Sequence, residues 1–499
     1  MSTTATICPP DTEASTELRA LRSYMDDLEA LGGVGSLLGW DHQVMMPASA
    51  GAWRARQMGV FSQLIHERST STELDRLISA VEDADPTNVE ARVARRSYRI
   101  STQLPSDHVR KASEATALAQ DAWQHARAKD AFADFAPHLT TVLVLMQERA
   151  ELIGYETERY DALHDLYEEG SRAANVERVF AELREPVRQL VDAQPSPDTS
   201  ILKRSYPIKA QEEAGRRIIA MMGFDLDAGR VDPTAHPFCT SIGRGDVRLT
   251  TRYDEHWLPG SLHSTIHEAG HGIYEQAFSR LGLPSTLADA PGLGMHESQS
   301  RMFENIIGRG LPFWTFAFPV LQELFPAALK DVSVADFVAQ LNTSERSLIR
   351  VEADELTYNM HVAARFELER AMVNGTLAVA DLPEAWSDAY DRWVGVRPHN
   401  DADGCLQDVH WSTGSFGYFP TYTLGNVYSA QFVACMRDDI PDLDQQVGSG
   451  NMMVVRDWFD EHVYRFGSSR TGSESVEQIT GGPVSAQPLI AYLQERFAR

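Results

Sequence analysis

Apolar residues recur at three-to-four spacing through most of this 499-residue chain, and that repeat limits the fold more than any other feature. Segments near 15–33, 53–67, 108–130, 136–153 and 175–194 carry it with charged residues between. Each predicts a helix that buries one stripe and leaves the other wet. A proline-bearing stretch at 193–200 interrupts the pattern and predicts a loop, after which KAQEEAGRRIIAMMGF is helical again. The text changes at 229–253, where short runs rich in Val, Thr, Phe and Tyr sit between Gly and Pro. They predict two or three short strands in one small sheet. Residues 342–373 read as one long helix, 395–417 as irregular, and the remainder as helix. The fold class expected is mainly α, with one small β-sheet. Residues 1–499 are expected to form one domain, with an N-terminal helical half at 1–195 and a second half at 196–499 that holds the sheet.

Bulk chemistry excludes several roles. Hydrophobic residues make up 43% and charged residues 23%, enough for a sizeable core. The formal net charge of −26 gives no attraction to nucleic acid or to anionic lipid. No apolar run is long enough to span a membrane, and MSTTATICPPDTEAS lacks the basic and apolar regions of a secretory leader. Cys8, Cys239, Cys405 and Cys435 form no CxxC pair, which fits a reduced, cytoplasmic setting.

Chemistry concentrates in STIHEAGHGIYEQ, residues 264–276. Ser261 is the expected N-cap, and Leu262, Ile266, Ala269, Ile273 and Ala277 form the buried stripe. His267 and His271 lie four apart, so both rings share one face and can reach one zinc ion. Glu268 can reach a water at that ion without coordinating it, the place for a general base. His263 and His267 form a second pair at the same spacing, but no carboxylate follows His263. Gly270 and Gly272 weaken a helix by roughly 0.8–1 kcal/mol each, which makes sense if a backbone or substrate packs close. A catalytic zinc wants a third protein ligand. GLGMHESQSRMFENIIGRG at 292–310 offers His296 and Glu297, and spacing alone does not choose between them.

Further stretches fall into line with these. They are HPF at 236–238, DVRLT at 246–250, HEAGH at 267–271, HESQS at 296–300, IRVEAD at 349–354 and GCLQDVHW at 404–411. In this order they resemble the carboxypeptidase Taq family of metallocarboxypeptidases, and LLGWDHQVMMPASAGAWRARQM at 37–58 is similar to that family's N-terminal region. The resemblance covers nearly the whole chain. It implies an almost all-helical fold with a deep cleft, a zincin-like site with the thermolysin-type ligand set, and a homodimer. It also implies one divalent metal ion, zinc or cobalt, and broad-specificity release of C-terminal residues from peptides. By the same resemblance His267, His271 and Glu297 bind metal and Glu268 is the base.

Reading a free C-terminal carboxylate suits arginine, whose planar fork binds it bidentately. Arg350 and Arg248 lie in the motifs and are the candidates, although Asp354 at i+4 could hold Arg350 in a plain intrahelical pair. His236 is a candidate for shaping the cleft. In SFGYFPTYTLGN at 415–426, Tyr418 and Tyr422 follow His410. Related zinc peptidases place a histidine and a tyrosine in such an order to steady the oxyanion, which makes His410 and Tyr418 catalytic candidates and Tyr422 a substrate-binding one. The rival reading is an oligopeptidase that cuts internal bonds of short peptides.

Overall fold

The structure is a computed structural model that describes residues 13–498. Cys8 and most of the stretch read as lacking a leader lie outside the described residues. The chain begins with α1 (Thr16–Val44), α2 (Gly51–Ser69), α3 (Thr72–Ala84), α4 (Val89–Gln103), α5 (Ser106–Lys129), α6 (Phe132–Ile153), α7 (Arg159–His164), α8 (Ala173–Asp192) and α9 (Ile208–Met222). Side chains start several of them: Ser15, Ser71 and Asn88 each accept an amide N–H of the first turn.

Strands β1 (Gly229–Pro233), β2 (Cys239–Gly243) and β3 (Asp246–Thr251) follow, in the order β1-β3-β2. β3 runs parallel to β1, with Val231 beside Leu249, and antiparallel to β2, with Thr240 beside Arg248. Val247 and Leu249 are buried. α1 lies against β2, where Gly33 comes so close that a Cβ would meet the Ile242 carbonyl oxygen.

Then come α10 (Leu258–Arg280) and α11 (Leu293–Arg301), which runs into a π-helical stretch at Met302–Ile307. The rest is α12 (Leu311–Leu324), α13 (Pro326–Leu329), α14 (Val334–Leu341), α15 (Tyr358–Val373), α16 (Leu382–Trp393), α17 (Pro420–Asp439), α18 (Leu443–Gly448), α19 (Met453–His462), α20 (Gly472–Thr480) and α21 (Gln487–Phe497). The main core gathers α5, α6 and α8 with most of the later helices, while Leu18, Leu21, Leu77, Ile78 and Val81 belong to a smaller core of α1, α3 and α4. α10 runs through the main core, with Ile266, Ala269, Ile273 and Ala277 buried and β3, α9 and α11 packed on it.

Two local expectations fail. Ser261 does not cap α10. The helix starts at Leu258 with Pro259 in its first turn, where a missing N–H is no loss, and the Ser261 hydroxyl donates to Gln211 instead. Nor is 342–373 one helix. Only a 3₁₀ turn at Arg350–Glu352 precedes α15. The Asp354 carboxylate takes the amides of Leu356 and Thr357 at 2.9 and 3.1 Å, and the Gln407 side chain takes the Arg350 amide at 3.1 Å. Side-chain acceptors thus satisfy backbone donors that a helix would have used.

Candidate active site

α10 places His267 and His271 on one face, their ring centroids 5.0 Å apart and nearly perpendicular. α11 brings the third group. Its first turn is pinned by the Tyr167 carbonyl, which accepts from Leu293 N–H at 2.8 Å, and by buried Glu168, which accepts from Gly294 N–H at 2.8 Å and from the Tyr428 hydroxyl at 3.0 Å. Burial pushes the Glu168 carboxyl up to about 7. Held this way, α11 turns Glu297 toward α10. Its Oε2 lies 3.4 Å from His271 Nε2 and 3.8 Å from His267 Nε2. The ligand atoms of His267, His271 and Glu297 all lie within 4.8 Å of one another. Tetrahedral ligands about 2.0–2.1 Å from zinc are roughly 3.3 Å apart, so little rearrangement is needed.

The other side of each imidazole is also engaged. His267 Nδ1–H donates to Glu304 Oε2 at 2.8 Å, and His271 Nδ1–H donates to the His296 carbonyl at 3.1 Å. In the neutral rings those bonds keep the hydrogen on Nδ1 and present Nε2 to a metal, which would displace the extra proton that His267 holds. Arg301 steadies the carboxylates, with Nε on Glu297 Oε1 at 2.7 Å and Nη1 on Glu304 Oε2 at 3.0 Å. Burial opposes ionisation of Glu297 and Glu304, yet Arg301 and the histidines hold both well below the usual carboxylate range. Burial likewise works against charge on His267, but Glu297 and Glu304 lift it to about 9. The pocket therefore favours positive charge at its centre. Two imidazoles and an ionised carboxylate fit a divalent cation.

Glu268 is buried beside this cluster, and burial pushes its carboxyl up to about 7. That suits a group that must take and return a proton near neutral pH. His263 is buried outside the ligand group, and burial holds it near 3. His296 turns away too. Its Nε2 hydrogen-bonds Glu275 at 2.8 Å while its ring stacks on His271 at 4.4 Å.

A second wall comes from 349–365 and 404–422. Arg350 is buried and donates to Asp408 Oδ1 from Nε at 3.1 Å and Nη2 at 2.7 Å, not to Asp354. Arg365 takes the other oxygen, with Nε on Asp408 Oδ2 at 2.5 Å. Burial opposes charge on Asp408, but the two arginines hold it far below the usual range. Two guanidinium groups on one carboxylate leave a net positive charge. His410 Nε2 and the Tyr422 hydroxyl share a 3.3 Å hydrogen bond, and burial with Arg350 holds His410 down to about 4. The Tyr418 ring sits edge-on to Tyr422 at 5.2 Å and to Tyr167 at 5.3 Å. Burial, with the Glu297 charge adding, pushes Tyr418 up to about 12, so its hydroxyl remains a donor.

Tyr358 joins the two walls. Arg301 lies over its ring at 4.2 Å, and its hydroxyl accepts from Arg350 Nη1 at 2.9 Å. Arg248 is elsewhere, on β3. It pairs with its neighbour Asp246 at 2.7 and 2.9 Å and lies 4.3 Å over Trp40 of α1. His236 is exposed between β1 and β2. Sequence reasoning passed over Glu304, Arg301, Asp408, Arg365 and Tyr358. Asp408 stands inside the GCLQDVHW motif, and Glu304 lies two helical turns beyond Glu297 on the same side; charge partners for the candidate ligands and arginines were the signal available.

The chain matches the family described as carboxypeptidase Taq (M32) metallopeptidases over residues 20–497. It is 40% identical to thermostable carboxypeptidase 1 of Thermus thermophilus over 96% of this chain and 98% of that protein. Identity to carboxypeptidase 1 of Bacillus subtilis is 36%, over 93% and 94% of the two chains. The crystal structure of the M32 carboxypeptidase from Deinococcus radiodurans superposes with a TM-score of 0.94 at 38% identity, covering 97% of this chain and 99% of that one. Likeness of this length and identity, in sequence and in fold alike, leaves one assignment, and the chain belongs to the carboxypeptidase Taq (M32) family of metallopeptidases.

Proposed function

We propose that this metallopeptidase removes C-terminal residues one at a time from peptides, with broad specificity, using zinc or cobalt held by His267, His271 and Glu297. A divalent cation there supplies Lewis acidity to the scissile carbonyl and lowers the pKa of the attacking water. Glu268 takes the proton from that water and returns it to the departing amine as the C–N bond breaks. His410, through the Nε2–H that meets the Tyr422 hydroxyl at 3.3 Å before substrate arrives, and the Tyr418 hydroxyl serve as donors to the oxyanion, with Tyr422 lining the substrate side.

Arg350 is the better candidate for the substrate carboxylate. Three of its five N–H groups are used, and the trio with Asp408 and Arg365 keeps a net positive charge. Arg248 is neutralised by its own Asp246, so with His236 it shapes the approach from the sheet side. The homodimer rests on the family likeness. α2 has no buried residue and exposes Trp53, Val60 and Leu64, a face that a second copy would cover. A cytoplasmic working place fits Cys239, Cys405 and Cys435, which are unpaired. Among the described residues no helix is long and apolar enough to cross a membrane.

One observation carries the reading: three ligand atoms converge beside a buried glutamate. The test is hydrolysis of an N-blocked dipeptide and of its C-terminal amide by apo, zinc-loaded and cobalt-loaded protein and by Glu268→Gln. Cleavage of the acid alone, lost on metal removal and in the variant, is the expected result. Equal cleavage of the amide would make the protein an oligopeptidase and would remove the role given to Arg350.

A further inference from the structure

A cavity of about 420 Å³ opens where the π-helical stretch ends, and no step of the proposed reaction uses it. Residues 306–307 and 309–313 wall it together with α14, α17, α18, α19 and α21. Leu311, Val338, Val433, Met436 and Val447 make the lining largely apolar. Its charges are unevenly shared. Arg437 sits at the rim between two carboxylates, Asp444 at 3.3 Å and Glu495 at 3.4 Å, both well exposed. Arg496 is matched by Glu355 at 3.4 Å. Arg309 has no ion-pair partner among the described residues; the Glu304 carboxylate feels its charge but is already held by Arg301 and His267. The Arg309 guanidinium donates to the Asn305 side chain at 3.1 Å and the Leu341 carbonyl at 2.6 Å, both neutral.

One end of the cavity thus has a surplus positive charge at Arg309, and the rim has a surplus negative one. Between them lies apolar surface. We propose that this cavity binds a zwitterion with an apolar body, an apolar amino acid or dipeptide, with its carboxylate on Arg309 and its ammonium at the Asp444–Glu495 rim. An unmatched arginine is the stronger anchor, since exposed rim charges contribute little. The volume falls in the range of small-molecule sites.

The site is tied to the metal cluster by covalent neighbours. Arg309 holds the Asn305 side chain, and Arg496 donates to the Asn305 and Ile306 carbonyls at 2.7 and 3.0 Å. Asn305 follows Glu304, whose carboxylate orients His267. A ligand that draws Arg309 away therefore loads the stretch that fixes a metal-binding imidazole. Amino acids and shortened peptides are what a carboxypeptidase releases, so the occupant would be a product acting away from the reaction centre.

Calorimetric titration of leucine into the metal-loaded enzyme tests this, with Ala339→Phe to fill the cavity and Arg309→Met to remove the anchor. Ala339 lines the cavity and is exposed, so its variant should fold and keep its kcat/KM without leucine. Two leucine sites per chain are expected in the parent and one in Ala339→Phe. Arg309→Met should weaken the second site at least tenfold, and leucinamide should miss it. Inhibition of turnover by leucine should be mixed in the parent and purely competitive in Ala339→Phe. A single site with competitive inhibition in the parent overturns the proposal, as does a second site that neither variant alters. Leucyl-leucine titrated into metal-loaded Glu268→Gln tells a dipeptide site from an amino-acid site by which ligand binds tighter.

Discussion

Gly270→Ala tests whether the metal cluster depends on the spacing of two helices. Gly270 lies between His267 and His271 on α10, against the turn of α11 that follows Glu297. A Cβ there would lie 2.6 Å from the Gln299 carbonyl oxygen and 2.6 Å from Ser300 Cα, backbone atoms that cannot swing aside. Ordinary contact begins at 3.4 Å, so the helices must part by about 0.8 Å (3.4 minus 2.6). α11 has nowhere to retreat. On α17, Gly425 is so near that a Cβ would sit 2.6 Å from Glu297 Cγ. Metal sites tolerate errors of about 0.2 Å in ligand distance. Overpacking of this kind costs roughly 1–3 kcal/mol. Helix propensity pulls the other way, since alanine is favoured over glycine by about 0.8–1.0 kcal/mol. If the strain falls on the ligand set, zinc affinity drops roughly five- to hundredfold. The assay is zinc competition against a chromophoric chelator, with urea unfolding alongside. A variant that binds zinc as tightly as the parent and unfolds at higher urea would show the propensity gain alone, and the spacing argument would be wrong.

Arg301→Met removes the donors to Glu297 and Glu304, and zinc affinity should fall about 10–100-fold in the same titration, with helix content by circular dichroism unchanged; full affinity would mean the carboxylates hold their places unaided. The Glu168 carboxyl titrates near 7 in the folded chain against an ordinary value of 4.5, so the folded state binds that proton more tightly. Its contribution to stability is full below the ordinary value and is lost as pH rises through about 7. Glu168→Gln should therefore flatten the decline in urea midpoint between about pH 5 and pH 8, and an undiminished decline in the variant counts against the assignment. Asp408→Asn leaves Arg350 and Arg365 buried without their shared anion, and unfolding measurements should show a loss of about 3–5 kcal/mol. No loss would mean water or movement already relieves the pair.

Most of the early helices were legible because they bury a stripe that shows in the spacing; α2 carries the spacing too, but none of its residues is buried. The periodic segments fall on α1, α2, α5, α6 and α8, overrunning them by two residues at most. The small sheet was legible from its Val, Thr and Gly content. The stretch before α15 was not, because its apolar spacing mimics a helix while Asp354 and Gln407 claim the amides from outside the local pattern. His267 and His271 share a helix face, so their meeting follows from spacing. The approach of Glu297 depends on how α11 lies between α10 and α17, a tertiary fact that Gly270 and Gly425 permit but do not announce. Arg350 misled for a related reason: Asp354 is nearer in sequence, and Asp408 is nearer in space.

Releasing a single C-terminal residue requires a fixed distance between the group that reads the terminal carboxylate and the atoms that attack the bond before it. In the proposed reading these are Arg350 and the metal cluster, which come from different segments of the chain. A long hydrogen-bonded relay between them would let the spacing drift. Tyr358 shortens the connection to one ring. Arg301, which holds both Glu297 and Glu304, lies on its face, and Arg350, which holds Asp408, donates to its hydroxyl. A phenol ring does not flex along that line, so both arginines take their positions from the same rigid body. The second device is charge. The chain carries −26 overall, and it must still attract an anionic peptide end. Screening at physiological ionic strength confines exposed charges to about 8 Å. Within that reach the buried Arg350–Asp408–Arg365 trio, with its surplus positive charge, outweighs the distant acidic surface.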